Sequence, residues 1–282
     1  MMLIFHNQKS APLTKEVAGG MGADLGQIEK KVFPDGEIYI RLLTPVRGRR
    51  VVLVHTTKDN DDLVELILVL SALRDNGASH ITCIVPHLVY QRQDEAFKDG
   101  EAVSARVFLR IIDEFADEII TVNAHFLKTA GRAKFGGVEV TNLDAFPLLG
   151  RRFRGRVQRI FSPDEGSLDY AAAAAREIGC PYDHLVKKRI DGTTVEIQPK
   201  ELDVRGLEVL ILDDIIATGG TMKEAAEMLR SQGARKVYLA CVHGIFAKGL
   251  GMFKDMEVVC TDSLPTGVSR VSLAPIILKA LK

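Results

Sequence analysis

The feature that most constrains the fold is a series of short apolar runs in which hydrophobic residues do not alternate with polar ones. A strand with one exposed face alternates, whereas a continuous β-branched run is typical of a strand covered on both faces. The runs therefore predict a mostly parallel sheet. They are VVLVH (51–55), ITCIVP (81–86), EIITVN (118–123), RIFSP (159–163), EVLILDD (208–214), KVYLACV (236–242) and EVVCTD (257–262).

Segments with helical periodicity separate these runs. One begins at Asp61 and ends at Asn76, and its leucine and isoleucine residues recur at helical spacing. A second spans 221–232 and starts with T-x-x-E, the spacing of a capping box, and a third contains the alanine run 171–175. Because strand and helix alternate along the chain, the sequence predicts an α/β protein.

Length and charge limit the domain organisation and the partners. The chain has 282 residues, enough for two ordinary domains of about 150 residues each. The basic stretch 151–159 is the candidate seam, although such a stretch is more typical of a solvated helix end than of a phosphate patch. We expect two similar domains, 1–147 and 148–282. Lys and Arg total 37, as do Asp and Glu, and this balance argues against nucleic acid or an anionic membrane as a partner.

Cysteine usage and hydropathy bear on the compartment. The 4 cysteines are scattered and form no C-x-x-C pair, which argues against zinc and favours a reducing compartment. The longest apolar stretch, 63–73, is too short to span a bilayer, and the first ten residues lack the pattern of a signal peptide. We therefore expect a cytoplasmic protein.

The strongest candidate site is the segment EVLILDDIIATGGTM, residues 208–222. Ligands of open parallel sheets bind beyond the carboxyl ends of the strands, and here two acids follow a buried run. The glycines allow backbone N–H groups to approach an anion, and the start of the next helix offers unpaired donors to a phosphate. The acids would repel a bare phosphate but can accept hydrogen bonds from a diol, so the pattern indicates a sugar phosphate.

Other phosphate motifs are missing from this segment. A Walker A loop needs a lysine after its second glycine, and neither that loop nor a G-x-G-x-x-G pattern is present. The plainer alternative is that the acids end a strand and the glycines form a simple turn. The ordered string after a buried strand favours the binding site.

The string DDIIATGGT closely resembles the phosphoribosyl diphosphate (PRPP) signature of type I phosphoribosyltransferases and PRPP synthases. Further segments resemble the second group, ribose-phosphate diphosphokinase, in its shorter archaeal-type form. These segments are FPDGEIYIR (33–41), PHLVYQRQDEAF (86–97), VNAHF (122–126), SPDEG (162–166) and KKRIDGTTVE (187–196). The resemblance implies two domains of type I phosphoribosyltransferase-like fold. It also implies transfer of the diphosphoryl group of MgATP to O1 of ribose 5-phosphate, giving PRPP and AMP for nucleotide biosynthesis.

The resemblance also implies roles for particular residues. Lys187 and Arg189 are the implied catalytic residues, and His125 and Asp164 are the implied ligands of Mg²⁺. The residues implied to bind ribose 5-phosphate are Arg189, Asp213, Asp214, Ala217, Thr218, Gly219, Gly220 and Thr221. Those implied to bind ATP are Phe33, Asp35, Gly36, Glu37, Arg92 and Gln93.

The resemblance implies an oligomer as well. FPDGE lies between two likely strands, 27–32 and 38–42, and in the family this hairpin reaches the ATP site of a neighbouring subunit. We therefore expect a homodimer or a larger assembly. Without the other motifs, Asp35 and Gly36 are typical of a plain turn, and Arg92 is typical of a surface residue in an ion pair. Asp191-Gly192 is the signal of a second hairpin turn.

Two departures from the family pattern stand out. The family usually has V-D-x-H where this chain has Val122 to His125, so Asn123 replaces an acid near the metal. Glu165 stands where Asp or Gly is common, and Ser167 stands where Gly is common. The change at Asn123 removes a negative charge, and the change at Ser167 is expected to stiffen the loop that meets the ribose.

Two alternatives remain open from the sequence. A phosphoribosyltransferase that consumes PRPP shares 208–222, but it needs a nucleobase pocket and no ATP site. A catalytically silent regulatory subunit should lack the implied catalytic residues, yet Lys187, Arg189 and His125 are all present. Asn123 is the one observation that favours this alternative.

Overall fold

In a computed structural model of the chain, the described residues are 2–189, 195–198 and 202–282. The chain divides into a first unit, Met1–Asp144 with Leu273–Lys282, and a second unit, Ala145–Ser272. The expected boundary lay between residues 147 and 148, with the whole C-terminus in the second domain. The chain instead passes to the second unit after Asp144, and its last residues return to the first.

The first unit is built on a parallel sheet. Among the described residues this is a seven-stranded sheet of order β2-β1-β5-β6-β7-β9-β8, in which only β8 and β9 pair antiparallel. Its elements are β1 (Leu3–His6), α1 (Ala11–Met21), β2 (Asp24–Leu25), β3 (Ile28–Val32), β4 (Ile38–Leu42), β5 (Arg50–Val54), α2 (Asn60–Asp75), β6 (His80–Val85), α3 (Ser104–Asp113), β7 (Glu118–Val122), β8 (Gly131–Phe135) and β9 (Val138–Leu143).

The second unit repeats this plan. Its described strands form a parallel sheet of order β11-β10-β14-β15-β16-β17. Its elements are α4 (Phe146–Arg152), β10 (Arg159–Ser162), α5 (Leu168–Ile178), β11 (Tyr182–His184), β12 (Val186–Arg189), β13 (Val195–Gln198), β14 (Glu208–Ile216), α6 (Gly220–Ser231), β15 (Lys236–Gly244), β16 (Glu257–Thr261) and β17 (Ser269–Val271).

The two units share one strand order. The sequence β2-β1-β5-β6-β7 corresponds to β11-β10-β14-β15-β16, and each unit carries a separate antiparallel hairpin, β3–β4 or β12–β13. Each has its own buried hydrophobic cluster. These observations confirm the predicted α/β class with two similar domains. All seven apolar runs predicted as strands are strands.

The helices that end each unit's strand series are exchanged. Helix α4 follows β9 in the chain but lies in the second unit, where it contacts α5. Helix α7 (Ala274–Ala280) follows β17 but lies in the first unit, where it contacts α1. Each unit therefore completes its helical layer with a helix that follows the other unit's sheet in the chain.

Two local predictions were wrong. The capping box at Thr221 does not form, because α6 begins one residue earlier, at Gly220, with Gly219 as its N-cap. The strand before it does not end at the acids either. β14 continues to Ile216 because β15 is long enough to pair with it as far as Gly244.

The basic stretch 151–159 forms local ion pairs in the second unit. Arg151 Nε lies 2.8 Å from Glu177 Oε2, and Arg156 Nη2 lies 2.7 Å from Glu257 Oε2. Because these charges are matched by acids of the same unit, the stretch has the character of a paired helix end.

Candidate functional site

The acids of the second unit lie at the carboxyl end of its sheet. Asp213 and Asp214 are part of β14, where Asp213 pairs in register with Cys241 of β15. Asp214 is buried, with 5 % of its surface exposed, and its backbone N–H donates to Asp213 Oδ1 at 2.9 Å. The strand thus places two adjacent carboxylates where parallel α/β proteins bind ligands.

A third acid approaches from the neighbouring strand. Asp164 follows β10, and its side chain caps a short 3₁₀ turn by accepting from the Ser167 N–H at 3.2 Å. The Ser167 hydroxyl lies 3.3 Å from Asp164 Oδ1 and 3.4 Å from Asp213 Oδ1, so it can donate to either acid. Ser167, one of the departures from the family pattern, therefore contacts acids from two strands, which a glycine could not do.

The surroundings of Asp213 alter its charge state. Burial first, and then the charges of Asp214 and Asp164, raise the pKa of Asp213 well above its ordinary value of 3.8. A raised pKa means that the carboxylate form is disfavoured in this environment. A divalent cation, or hydroxyl donors, at this edge would restore the charged form.

The glycine loop follows these acids directly. Gly219 has φ of 93°, which glycine adopts readily, and a Cβ there would lie only 2.4 Å from Phe253 Cζ. Both the conformation and the space therefore require glycine. A Cβ at Gly220 would meet no atom within 4 Å, so this side of the loop is open.

Helix α6 begins at this open loop. Its N-cap Gly219 has no side chain, so the first N–H groups of the helix are not capped by it. Thr218 and Gly220 are exposed, Thr221 lies in the first turn, and the Ala217 carbonyl accepts from the Ala247 N–H at 2.8 Å. The structure thus brings all the residues predicted for the ribose 5-phosphate site, apart from Arg189, onto one strand end and one helix start.

The predicted catalytic residues lie on the hairpin of the second unit. Lys187 and Arg189 belong to β12, which pairs with β13 through Lys187↔Ile197 and Arg189↔Val195. Their side chains lie outside the described residues, as does the predicted turn at Asp191-Gly192.

The predicted adenine residues lie at the tip of the β3–β4 hairpin in the first unit. The Gly36 N–H donates to the Phe33 carbonyl at 2.9 Å, and the Glu37 N–H donates to Asp35 Oδ1 at 3.2 Å, so the tip is a hydrogen-bonded turn. Phe33 is 46 % exposed and its ring contacts Tyr39 edge-on. The hairpin was predicted, and it presents an exposed aromatic ring.

The segment after β6 carries the predicted polyphosphate residues. Arg92 is exposed, while the Gln93 amide donates to Glu101 Oε2 at 3.3 Å. Gln91, which the sequence did not single out, is buried, and its Oε1 accepts from the backbone N–H of His125 at 3.0 Å. Segment 86–97 is thereby joined to the predicted metal ligand His125.

Amide side chains shape the loop that carries His125. The Ala124 N–H donates to Asn142 Oδ1 at 3.0 Å, next to the Gln91 contact on His125. Asn123 has φ of 38°, a conformation that asparagine adopts more readily than most residues, and its Nδ2 donates to Asp144 Oδ1 at 3.1 Å. An aspartate at 123 could not make this donation, so the departure at Asn123 matches an acid that is placed nearby.

Four residues in these contacts were missed by the sequence analysis: Gln91, Asn142, Asp144 and Ser167 as a bridge between acids. Gln91 lies within the segment 86–97 but was given no role there, and Asn142 and Asp144 lie outside every quoted segment; the residues that these three contact are distant in the chain. Only Ser167 had a signal, as a departure from a usual glycine.

No group of three or more His, Cys, Asp and Glu side chains in the described ranges is arranged to hold a metal ion by itself. His125 and Asp164 lie in different units, so each is described separately. Among the described helices, none has the length and apolar character needed to cross a bilayer.

Comparisons with known protein families match both units. A model of the N-terminal domain of ribose phosphate pyrophosphokinase matches residues 2–115, and a model of the phosphoribosyl transferase domain matches residues 151–272. The N-terminal match separates this chain from single-domain transferases. The first match covers β1 to β6 of the first unit, including its hairpin, and the second covers the acids and glycine loop of the second unit.

Curated relatives and solved structures agree. The chain is 39 % identical over 280 residues to ribose-phosphate pyrophosphokinase 2 of Archaeoglobus fulgidus, covering 98 % of each. It is 38 % identical over 293 residues to the ribose-phosphate pyrophosphokinase of Methanopyrus kandleri, covering 100 % of this chain and 99 % of that one. The crystal structure of phosphoribosylpyrophosphate synthetase from Mycobacterium smegmatis superposes with a TM-score of 0.84 at 26 % identity, covering 99 % of this chain and 97 % of that one.

Proposed function

The chain belongs to the ribose-phosphate pyrophosphokinase family, and we propose how its residues divide the work of transferring a diphosphoryl group from ATP to O1 of ribose 5-phosphate. The products are PRPP and AMP. The second unit binds the sugar phosphate, and the first unit supplies the nucleotide contacts. This division follows the placement of the glycine loop in one unit and the aromatic hairpin in the other.

The observation that carries this assignment is the junction of β14 with α6. An open helix start, which favours an anion, directly follows two carboxylates, which favour hydroxyl groups. We propose that residues 217–221 hold the 5-phosphate, while Asp213 and Asp214 accept hydrogen bonds from the ribose hydroxyls. A single ligand that carries both a phosphate and neighbouring hydroxyl groups is a ribose 5-phosphate unit.

The acids also fit a divalent cation. Three carboxylates approach one another at one sheet edge, where burial, and then the charges of Asp214 and Asp164, raise the pKa of Asp213. We propose that Asp164 and His125 bind Mg²⁺, which prefers oxygen ligands and retains several waters, so that few protein ligands suffice. When bound, the ion neutralises phosphate charge and lowers the pKa of the attacking hydroxyl.

On the nucleotide side, we propose that Phe33 stacks on adenine while Asp35, Gly36 and Glu37 contact its amino group or the ribose. Arg92 and Gln93 bind the polyphosphate, for which the permanent charge and forked donors of arginine are suited. The exposure of Phe33 supports a hairpin that acts on a neighbouring subunit, so we propose a homo-oligomer.

For the chemical step, we propose that O1 attacks the β-phosphorus in line. The new bond joins O1 to that phosphorus, the bond from it to the α,β-bridging oxygen breaks, AMP leaves with that oxygen, and the proton of the O1 hydroxyl passes to water. Lys187 and Arg189 stabilise the charge on the transferring group, because phosphoryl transfer depends mainly on positioning and charge neutralisation. We propose the cytoplasm as its compartment, consistent with four free cysteines.

One assay tests this assignment against the alternatives. Purified protein is given MgATP and ribose 5-phosphate, and AMP and PRPP are measured over time. We expect both products in equal amounts. PRPP consumption with a nucleobase, and no AMP from ATP, would instead identify a phosphoribosyltransferase, while no turnover with intact ribose 5-phosphate binding would identify a silent subunit.

A further inference from the structure

The β3–β4 hairpin is attached to the first unit through one face, which packs on α2 and the core. It forms its own two-stranded sheet, separate from the seven-stranded one. The inward side chains Ile28, Ile40 and Leu42 pack against the core of the unit, and β4 contacts α2. Val32, near the tip, is 62 % exposed. Apolar packing is non-directional, so it holds the ribbon to α2 without fixing the direction of its tip.

One ion pair adds a directed contact. Lys30 Nζ on β3 lies 2.6 Å from Glu65 Oε2 on α2. The Glu65 side chain is only 9 % exposed, whereas that of Lys30 is 38 % exposed. A carboxylate so far from water is rarely left unpaired, because an isolated buried charge is costly. Glu65 on the rigid helix α2 is therefore a buried anion, and Lys30 can pair with it only when β3 lies at one position on the helix.

A second group faces the same carboxylate but does not carry charge. Glu65 Oε1 lies 3.9 Å from Nε2 of His55, which is fully buried. In the described part of the chain, neither ring nitrogen of His55 has a hydrogen-bond partner. Burial first, and then the charges of Lys30 and Lys9, lower the pKa of His55 to about 3. His55 is therefore neutral near pH 7, and Lys30 is the cation that neutralises Glu65.

Lys30 is also close to the functional tip. It lies on the strand that ends at Val32, directly before Phe33. We propose that Glu65 is a positioning residue, which acts through Lys30 to hold the hairpin tip in the orientation that binds ATP. This inference rests on the proposed role of the hairpin in nucleotide binding, and it adds two residues outside every motif considered above.

The hairpin offers a matched control. Lys31, the next residue, lies 2.7 Å from Glu29 on the same strand, but these side chains are 59 % and 28 % exposed. Exposed ion pairs contribute little, whereas removing one partner of a buried pair leaves an uncompensated charge. Lys30→Met and Lys31→Met therefore make the same chemical change at neighbouring positions, with and without a buried partner.

The first experiment measures steady-state kinetics of the full chain with ATP and ribose 5-phosphate varied separately. In Lys30→Met we expect KM for ATP to rise about tenfold, equivalent to about 1.4 kcal/mol. The kcat and the KM for ribose 5-phosphate should stay within about twofold, since removing uniform binding raises KM alone. Lys31→Met should match wild type, and Lys30→Arg should retain most of the ATP affinity. A wild-type KM for ATP in Lys30→Met overturns the proposal.

A double variant separates positioning from simple stability. Lys30→Met leaves the buried Glu65 carboxylate unpaired, so its thermal midpoint should fall. Adding Glu65→Gln removes that charge and should recover the midpoint. If Glu65 positions the hairpin, KM for ATP stays high in the double variant although its stability returns. Recovery of both would show that Glu65 has only a structural role.

Hydrogen–deuterium exchange without substrates gives a readout independent of activity. Backbone amides of 28–42 should exchange faster in Lys30→Met than in Lys31→Met, while those of β5 and β6 remain unchanged. Equal exchange in the two variants overturns the inference.

The two proposals can fail separately. If wild type forms no AMP, the proposed function fails, while the exchange experiment still tests the ion pair. If wild type is active and the hairpin amides exchange equally in the two variants, only the inference fails.

Discussion

The two units use the same strand-to-helix junction in opposite ways. In the second unit, β14 leads through residues 217–219 into α6, whose start is open and has a glycine N-cap. In the first unit, β5 leads through residues 55–59 into α2, whose start is closed by carboxylates. Both junctions follow a central strand at the carboxyl edge of a parallel sheet, so the fold offers an anion site at each.

Side chains fill the junction of the first unit. Asp59 Oδ1 accepts from the Asp62 N–H at 3.0 Å, and Asp62 Oδ2 accepts from the Lys58 N–H at 2.8 Å. Lys9 forms an ion pair with Asp62 and so balances the charge. The N–H groups of Lys58 and Asp62 are thus used within the protein. We propose that the shared fold fixes where a phosphate can bind, while a few capping residues decide whether it does.

The hairpins extend this comparison and carry the largest predicted effect. One hairpin presents Phe33 and the other carries Lys187 and Arg189. We expect Lys187→Ala to lower kcat by about 10²–10³, the usual cost of removing one preorganised charge donor. Ribose 5-phosphate affinity, measured by calorimetry, should be largely kept. Wild-type turnover in this variant would remove Lys187 from the mechanism.

One methyl group can distort the glycine loop at the open junction. Gly219→Ala should weaken ribose 5-phosphate binding by at least about tenfold, because its Cβ meets Phe253 at 2.4 Å and alanine at positive φ costs about 1–2 kcal/mol. Gly233→Ala is the matched control at the other end of α6. Its φ is 92°, nearly the same, and its Cβ lies 3.4 Å from Arg205 Cγ.

Calorimetric titration with ribose 5-phosphate, together with thermal unfolding, reads out both variants. The strain from positive φ is common to them, so each should lose stability. Only Gly219→Ala should lose affinity. An equal loss of affinity in Gly233→Ala would mean that helix stability, and not the shape of the loop, governs binding.

The fold was predictable because it depends on features that are local in the chain. The apolar runs and helical periodicities predicted seven strands and the two-domain plan, and the Pro-Asp-Gly turn between two likely strands predicted the β3–β4 hairpin. The exchange of α4 and α7 was not predictable, because the sequence of a short helix does not indicate which of two sheets it packs on. The length of β14 was missed because its last pairs depend on β15.

The site was predictable where one segment carries several groups in order. The acids and the glycine loop are contiguous, so their proximity follows from the chain itself. Contacts between distant segments were not visible: Gln91 with the His125 N–H, Asn123 with Asp144, and Lys30 with Glu65. Each of these pairs joins ordinary residue types, and only the sheet order brings them together.

The acid cluster predicts an unusual pH dependence of stability. The pKa of Asp213 is raised in the folded state, so the folded protein binds more protons than the unfolded chain as pH rises above 3.8. Asp213 therefore stabilises the fold at low pH, and this contribution falls as pH rises through the raised pKa. Asp213→Asn should remove that decline and weaken ribose 5-phosphate binding.

Thermal unfolding between pH 4 and pH 8 without ligand, compared for wild type and Asp213→Asn, measures the decline. The difference between the two midpoints should change in favour of Asp213→Asn as pH rises. A constant difference would contradict the raised pKa. Unchanged sugar-phosphate affinity would contradict the proposed recognition of hydroxyl groups.

The smallest effect is expected at the closed junction. Asp59→Ala removes the N-cap of α2 and should cost about 1 kcal/mol of stability at pH 7, the usual value for such a cap. Although burial alone would raise it, the pKa of Asp59 is lowered by the Asp62 N–H and by Lys9. The stabilisation is therefore present above the ordinary pKa of 3.8 and is lost as pH falls through the lowered value. Urea unfolding at pH 7 and pH 3 checks both statements.

Calorimetry of Asp59→Ala should still find one ribose 5-phosphate site per chain, because Asp62 and Lys9 keep the junction filled. A second site would show that Asp59 alone excludes phosphate.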